Sequence, residues 1–169
     1  MAVETHKKKH RLARCMIVTI SDTRTAATDK SGRVMIDLLE QAGHKVEVRK
    51  IIPDKAQTIQ TVIDSGCANT GVDVILTNGG TGIASRDVTI ETVKPLFDKE
   101  ITGFGELFRM LSYTEDIGSA ALMSRAIAGI RHHTAIFSLP GSSGAVKLAM
   151  NKLIIPELSH IVHEIKKDL

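Results

Sequence analysis

Residues 71–91 read GVDVILTNGGTGIASRDVTIE, and this stretch decides the architecture of the chain. Asp73 to Thr77 is nearly continuous apolar sequence rich in β-branched residues, so Gly71 to Thr77 reads as a strand covered on both faces, as in parallel sheets. Asn78-Gly79-Gly80-Thr81-Gly82 then breaks it. Three glycines in four positions let backbone N–H groups come close to an anion, because no Cβ intervenes and positive φ is open to them. A tight strand-to-helix turn accounts for the same residues, so the loop alone leaves both readings standing. It is not a P-loop, since no Gly-Lys-Ser/Thr follows at the required spacing. Gly80-Thr81-Gly82-Ile83-Ala84-Ser85 comes near a dinucleotide fingerprint, but Ser85 replaces the third small residue and no acidic strand end follows.

Upstream, Arg14 to Ile20 (RCMIVTI) is a second buried strand, ending in the small polar loop Ser21-Asp22-Thr23-Arg24. From Asp29 to Ala42 the residues Val34, Met35, Leu38, Leu39 and Ala42 make one helical face, with Gly43 as the stop. Lys45 to Ile52 alternates apolar and polar before Pro53-Asp54, as a strand nearer an edge does. Lys55 to Ala68 is again an amphipathic helix. The first half is therefore β-α-β-α-β, which predicts parallel strands joined by right-handed crossovers.

Downstream, a short helix is predicted over Val88–Phe97, with Asp87 as a possible N-cap, and a second helix over Gly103–Tyr113. Phe97, Phe104, Phe108 and Tyr113 concentrate four of the five aromatic residues here, either as core or as a subunit interface. Ala126–Ile130 and Thr134–Leu139 form a hairpin around Arg131-His132-His133, adding one antiparallel strand. Pro140-Gly141-Ser142-Ser143-Gly144 opens a long apolar helix that Pro156 is expected to interrupt. His160 and His163 lie three apart without a ligand pattern, and no zinc site is assigned.

At 169 residues the chain reads as one domain over 14–169 preceded by a basic tail, 1–13. Lys7, Lys8, Lys9 and Arg11 against Glu4 give that tail a net +3, so the rest of the chain is balanced. With no tryptophan and one tyrosine the stacking platform of single-strand binders is missing, and no nucleic-acid partner is expected. Two unclustered cysteines fit a reducing compartment, and the lack of a membrane-length apolar run or signal segment points to the cytoplasm with no membrane partner.

Asp22, Asp54, the loop from Gly79 to Asp87 and the segment Pro140 to Gly144 each follow a predicted strand. In an open parallel sheet such loops share the carboxyl edge, where ligands bind at the reversal of strand order. Amide-rich loops, small hydroxyls and carboxylates converging there suit a phosphate-bearing ligand, such as a nucleotide, with Mg²⁺. Taken singly, Asp54 and Asp87 also fit as turn or cap residues.

TNGGTGIASRDVTIE, FGELFRMLSYTEDIGSAALMSRAIAG and LPGSSGAVKLA, in this order, resemble the molybdenum cofactor biosynthesis family containing MoaB and MogA, nearest to its MoaB branch. The likeness covers essentially the whole chain after the basic tail. It implies a three-layer α/β/α sandwich on a mostly parallel sheet, homotrimers or hexamers, and binding of molybdopterin. In active members it implies transfer of AMP from Mg-ATP to the molybdopterin phosphate. Carried over to this sequence, Asp54 and Asp87 are the essential carboxylates and the Mg²⁺ ligands. Gly79, Gly80, Thr81 and Gly82 form the phosphate loop, and Gly141 and Ser142 the second ligand loop. Ser21, Asp22 and Arg86 are further candidates for the anion site. Many relatives read Pro-Gly-x-Pro where this chain has Ser143 in place of the second proline, which is expected to loosen that loop. A non-catalytic oligomeric carrier of pterin or nucleotide is the alternative function, and a nicotinamide-dinucleotide oxidoreductase a third.

Overall fold

The computed structural model describes residues 11–169; Lys7, Lys8 and Lys9 of the basic segment lie outside them. β1 (Arg14–Ile20), β2 (Lys45–Ile52), β3 (Val74–Asn78) and β6 (Thr134–Leu139) are parallel, and β5 (Ile127–Arg131) runs antiparallel beside β6. The order across the sheet is β2-β1-β3-β6-β5-β4. β4 is a pair of residues, Lys99–Glu100, set antiparallel to Gly129 and Ile130 at the edge. The sequence reading does not contain it. Both its residues are exposed and carry no apolar period, so only pairing with β5 makes a strand of them.

The alternation within β1 divides the interior in two, because successive side chains of a strand point to opposite faces. Cys15 and Ile17 face a core shared with Met35, Leu39, Phe108, Val146 and Leu158. These come from α1 (Lys30–Gln41), α4 (Thr102–Glu115), α5 (Ser143–Ala149) and α6 (Ile155–Lys166). Met16, Val18 and Ile20 face Ile59, Ile63 and Val93, which belong to α2 (Ala56–Ala68) and α3 (Thr89–Val93). Helices cover both faces, giving three layers. Among the described residues, no helix is long and apolar enough to cross a membrane.

Pro156 does not interrupt the last helix. α5 passes into α6 through a π-helical stretch, Met150–Ile154, and Pro156 sits in the first turn of α6. The wider π turn re-spaces the carbonyls ahead of a residue that has no N–H to offer them. The aromatic segment serves two environments. Phe104 and Phe108 are buried, Phe104 meeting Phe137 edge-on at 5.2 Å. Tyr113 is 62% exposed, beside the exposed Leu107 and Met110 on the outer face of α4. The hairpin turn places His132 at φ 52°, with its N–H donating to the Asp98 carboxylate.

Candidate functional site

The carboxyl ends of β1, β2, β3 and β6 lie along one edge, and β1 leads to β2 on one side and is flanked by β3 on the other. That reversal leaves a crevice at the ends of the strands. Gly79 follows β3 at φ 100° and Gly80 at φ 65°, a region only glycine enters without strain. Each is also hemmed in: a Cβ on Gly79 would stand 2.2 Å from the Ile20 carbonyl oxygen, and one on Gly80 would stand 2.6 Å from Asp54 Oδ1.

The loop's hydrogen bonding is one-sided. The Gly79 carbonyl accepts from Thr89 Oγ1 at 2.9 Å and the Gly80 carbonyl from the Thr89 N–H at 3.0 Å. The Thr81 carbonyl accepts from Arg125 Nε at 2.9 Å and the Gly82 carbonyl from Arg125 Nη2 at 2.6 Å. The Gly79 N–H donates to the Leu139 carbonyl at 3.0 Å. Among the described residues, the N–H groups of Gly80, Thr81 and Gly82 have no acceptor. Four carbonyls are thus held back while three successive donors stand unpaired beside a cleft of about 450 Å³. Such an array of amides is a nest for an anion.

The cleft is lined by Gly79 to Gly82, Asp87, Gly141 and Ser142, together with Arg24, Met123, Ser124 and Arg125. Two other hollows are larger, about 560 Å³ against the second half of α6 and about 610 Å³ on the exposed face of α4. Neither is lined by a glycine, so the chemistry of the lining, rather than volume, selects the smaller one.

Asp87 is not the cap of the helix after it. α3 begins at Thr89 with Val88 at the cap position and no side-chain capping bond. The Asp87 carboxylate instead accepts from the Ala84 N–H at 3.0 Å and packs so closely on the loop that a Cβ on Gly82 would fall 2.5 Å from Oδ2. Asp54 does not cap α2 either, since Lys55 holds that position. Its own N–H donates to Asp22 Oδ1 at 3.0 Å. The two expected carboxylates therefore press on the glycine loop at different residues, Asp54 at Gly80 and Asp87 at Gly82. Burial first, then the negative charges of Asp22 and Asp87, push the Asp54 carboxyl above its ordinary range, although Arg86 acts the other way. The Asp22 carboxyl is lowered by the bond from the Asp54 N–H and then by Arg86.

Ser21, Asp22, Asp54 and Arg86 do not line the cleft, although Asp54 abuts the loop at Gly80. Ser21 Oγ accepts from the N–H groups of Thr23 and Arg24, each at 3.2 Å, and so shapes its own turn. Arg86, 66% exposed, is paired with Asp22 at the rim. Ser142 Oγ caps α5 by accepting from the Ala145 N–H at 3.2 Å, and Ser143 occupies the first helical position. The second loop is tied down by Arg24, whose Nη2 donates to the Gly141 carbonyl at 2.7 Å.

Behind Arg24 lies a buried polar network absent from the sequence reading. Asp29, fully buried, caps α1 through the Gly32 N–H at 3.0 Å and accepts from Thr19 Oγ1 at 2.8 Å and Arg49 Nη2 at 3.0 Å. Burial alone would raise its pKa, but those bonds bring it below the ordinary value. Asn78, at the end of β3, accepts from Ser31 Oγ at 2.8 Å and donates to Thr19 Oγ1 at 3.1 Å. Arg24 donates to Ser31 Oγ from the same side. A polar residue ending an apolar strand was a usable signal for Asn78, and an aspartate at a helix start one for Asp29 as a cap; Arg24 on Gly141 and Arg125 on the glycine loop act across long sequence distances and leave no local pattern.

A family model described as a probable molybdopterin binding domain matches residues 16–160. Molybdenum cofactor biosynthesis protein B of Bacillus subtilis (strain 168) is 61% identical over 169 residues, spanning 99% of each chain. The chain belongs to this molybdenum cofactor biosynthesis family. Its namesake in Staphylococcus carnosus (strain TM300) is 54% identical over 95% of both chains. Among solved structures, a molybdenum cofactor biosynthesis protein B overlays with a TM-score of 0.92 at 60% identity, covering 93% of this chain and 98% of the other. The tungsten cofactor synthesizing protein MoaB from Pyrococcus furiosus overlays with a TM-score of 0.83 at 38% identity, covering 93% and 99%. The family resemblance carried by the GGTG, RD and PGS motifs is thereby established, and with it the mixed α/β architecture.

Proposed function

We propose that the cleft binds molybdopterin and a nucleotide, and that the chain transfers AMP from Mg-ATP to the molybdopterin phosphate. The observation that supports this most directly is the glycine loop, with carbonyls tied back and the amides of Gly80, Thr81 and Gly82 unpaired beside the cleft. In the reaction an oxygen of the molybdopterin phosphate bonds to the α-phosphorus of ATP. The bond from that phosphorus to the bridging oxygen breaks, and pyrophosphate leaves with the electron pair. The attacking oxygen is already ionised at neutral pH, so alignment and charge neutralisation matter more than a strong base. Loop amides hold phosphate oxygens in fixed positions, which costs no reorganisation as charge develops.

The carboxylates fit a divalent cation on their own chemistry. Asp54 is raised by burial and by two neighbouring carboxylates, a repulsion that a cation would relieve. Among the described residues no cluster of three or more His, Cys, Asp or Glu side chains would hold a metal unaided. Mg²⁺ matches that arrangement, because it takes one or two carboxylates and completes its shell with water and phosphate oxygens. Asp54 and Asp87 would hold it, where it would neutralise charge on the ATP phosphates.

Self-association belongs to the same reading. Leu107, Met110, Tyr113, Ile117, Leu122 and Met123 are between 46% and 89% exposed, and Met123 also lines the cleft. A homotrimer or hexamer would cover this apolar face. Light scattering on the purified chain is expected to give a multiple of the 18.3 kDa monomer mass; a monomer mass contradicts it.

The test of function is pyrophosphate release from Mg-ATP, with and without molybdopterin, in the parent and in Asp87→Asn. Release that requires molybdopterin and falls by about 100-fold or more in the variant is expected, the loss of an electrostatic contact at the reacting phosphates. A parent that binds molybdopterin but releases no more than the variant is a carrier and not an enzyme.

A further inference from the structure

We infer that Arg125, braced by Glu91, is a positioning residue that keeps the glycine loop turned into a donor cradle, and is not itself a ligand of the phosphate. The inference rests on the cleft being an anion site. A guanidinium has five N–H donors in a rigid fork. In Arg125, Nε donates to the Thr81 carbonyl at 2.9 Å, and Nη2 to the Gly82 carbonyl at 2.6 Å and to Glu91 Oε2 at 3.2 Å. Nη1 donates to Glu91 Oε1. Only one donor is left uncommitted, and the positive charge is already offset by Glu91, whose carboxyl the hydrogen bond from Arg125 holds below its ordinary range. An incoming phosphate would find little here to bind.

What Arg125 does control is the direction of the amides. A trans peptide is planar, with its carbonyl and N–H pointing in opposite directions, and no cis bond occurs among the described residues. Drawing the Thr81 carbonyl toward Arg125 therefore aims the Gly82 N–H away from it, and drawing the Gly82 carbonyl does the same for Ile83. Thr89 performs the equivalent service for Gly80 and Thr81 through the two preceding carbonyls. Without Arg125 the peptides after Thr81 and Gly82 are free to rotate, and a carbonyl facing the cleft would repel phosphate. The loop is thus set by a residue 43 and 44 positions away in sequence. Arg125 is itself anchored to α3 by Glu91, which does not line the cleft.

The test uses the full chain, ¹⁵N relaxation order parameters of Gly80, Thr81, Gly82 and Ile83, and Mg-ATP affinity in the parent, Arg125→Ala, Arg125→Lys and Glu91→Gln. In Arg125→Ala the order parameters at Gly82 and Ile83 are expected to fall from about 0.85 to below about 0.6, with Gly80 and the β3 amides unchanged. Mg-ATP binding is expected to weaken by about tenfold or more, the scale of losing charge-assisted hydrogen bonds. Arg125→Lys should not rescue it, because an ammonium keeps the charge but lacks the fork. Glu91→Gln should reproduce both changes at about threefold in affinity, as the loss of a partly exposed brace. Parent-like order parameters in Arg125→Ala overturn the inference, and so does restoration of Mg-ATP affinity by Arg125→Lys, which would mark a direct charge contact. If the parent binds no Mg-ATP, the nucleotide reading fails while the order parameters still decide whether Arg125 sets the loop.

Discussion

Two aspartates at opposite ends of the parallel strands differ in how completely the free protein satisfies them, one serving stability and the other, under the proposed function, ligand binding. Asp73, just ahead of β3 at the amino edge, is 3% exposed. It accepts from Arg14 Nε at 3.1 Å, Arg14 Nη2 at 2.9 Å, the Arg14 N–H at 2.9 Å and Lys166 Nζ. Burial by itself would raise its pKa, but these bonds hold it down to about 2. Asp54, at the carboxyl edge, forms no ion pair among the described residues and lies near Asp22 and Asp87, which with burial outweigh Arg86 and raise it. Asp73 is complete in the free protein and staples α6 to the sheet. Asp54 is left in a negative neighbourhood that Arg86 offsets only in part.

Breaking the staple carries the larger effect. Asp73→Asn removes the carboxylate between Arg14 and the largely buried Lys166 and is expected to cost about 3 kcal/mol, as a broken buried pair does. Urea unfolding measures it; a loss under about 1 kcal/mol would place the cluster with ordinary surface pairs. The same group fixes the acid limit. Its folded pKa, about 2, lies below the ordinary 3.8. Its contribution is therefore full above the unfolded value and disappears as pH falls from about 4 toward 2, amounting to on the order of 2 kcal/mol. In Asp73→Asn that segment of the stability profile should flatten.

The effect at the other edge is smaller and opposite in sign. Because the Asp54 carboxyl is raised in the folded state, its ionised form costs stability at neutral pH, a cost that vanishes as acid protonates it. Asp54→Asn should leave the unliganded protein equal or more stable by a few tenths of a kcal/mol, the trade-off common at functional sites, while Mg-ATP binding is lost. A variant that is destabilised and still binds Mg-ATP would make Asp54 a second structural aspartate and erase the contrast.

The difference between these edges also marks what sequence could reveal. β1 and β6 lie where apolar runs place them, because a strand covered on both faces by helices buries nearly every side chain, and β2 lies where alternation places it, because at the sheet edge one of its faces stays open to water. The glycine loop is legible because a glycine-rich break after a buried strand is itself a pattern, whereas Asp54 and Asp87 taken singly read as turn or cap residues and are singled out only by the family resemblance. Arg14 with Asp73, Arg24 with Gly141, and Arg125 with Glu91 are not, since each pair joins distant segments through side chains that look like solvated charge in one dimension. β4 and the π turn before Pro156 were invisible for a related reason, being products of tertiary pairing and helix register.

The central claim is that the unpaired amides of the glycine loop hold the phosphate. It is tested most directly by following backbone amide resonances of the full chain as Mg-ATP is added. The largest shifts are expected at Gly80, Thr81 and Gly82, and their loss in Gly82→Ala, where the new Cβ would press on Asp87. Shifts that leave these three amides in place and gather instead along α6 and the His132-His133 turn, or that persist unchanged in Gly82→Ala, would contradict it.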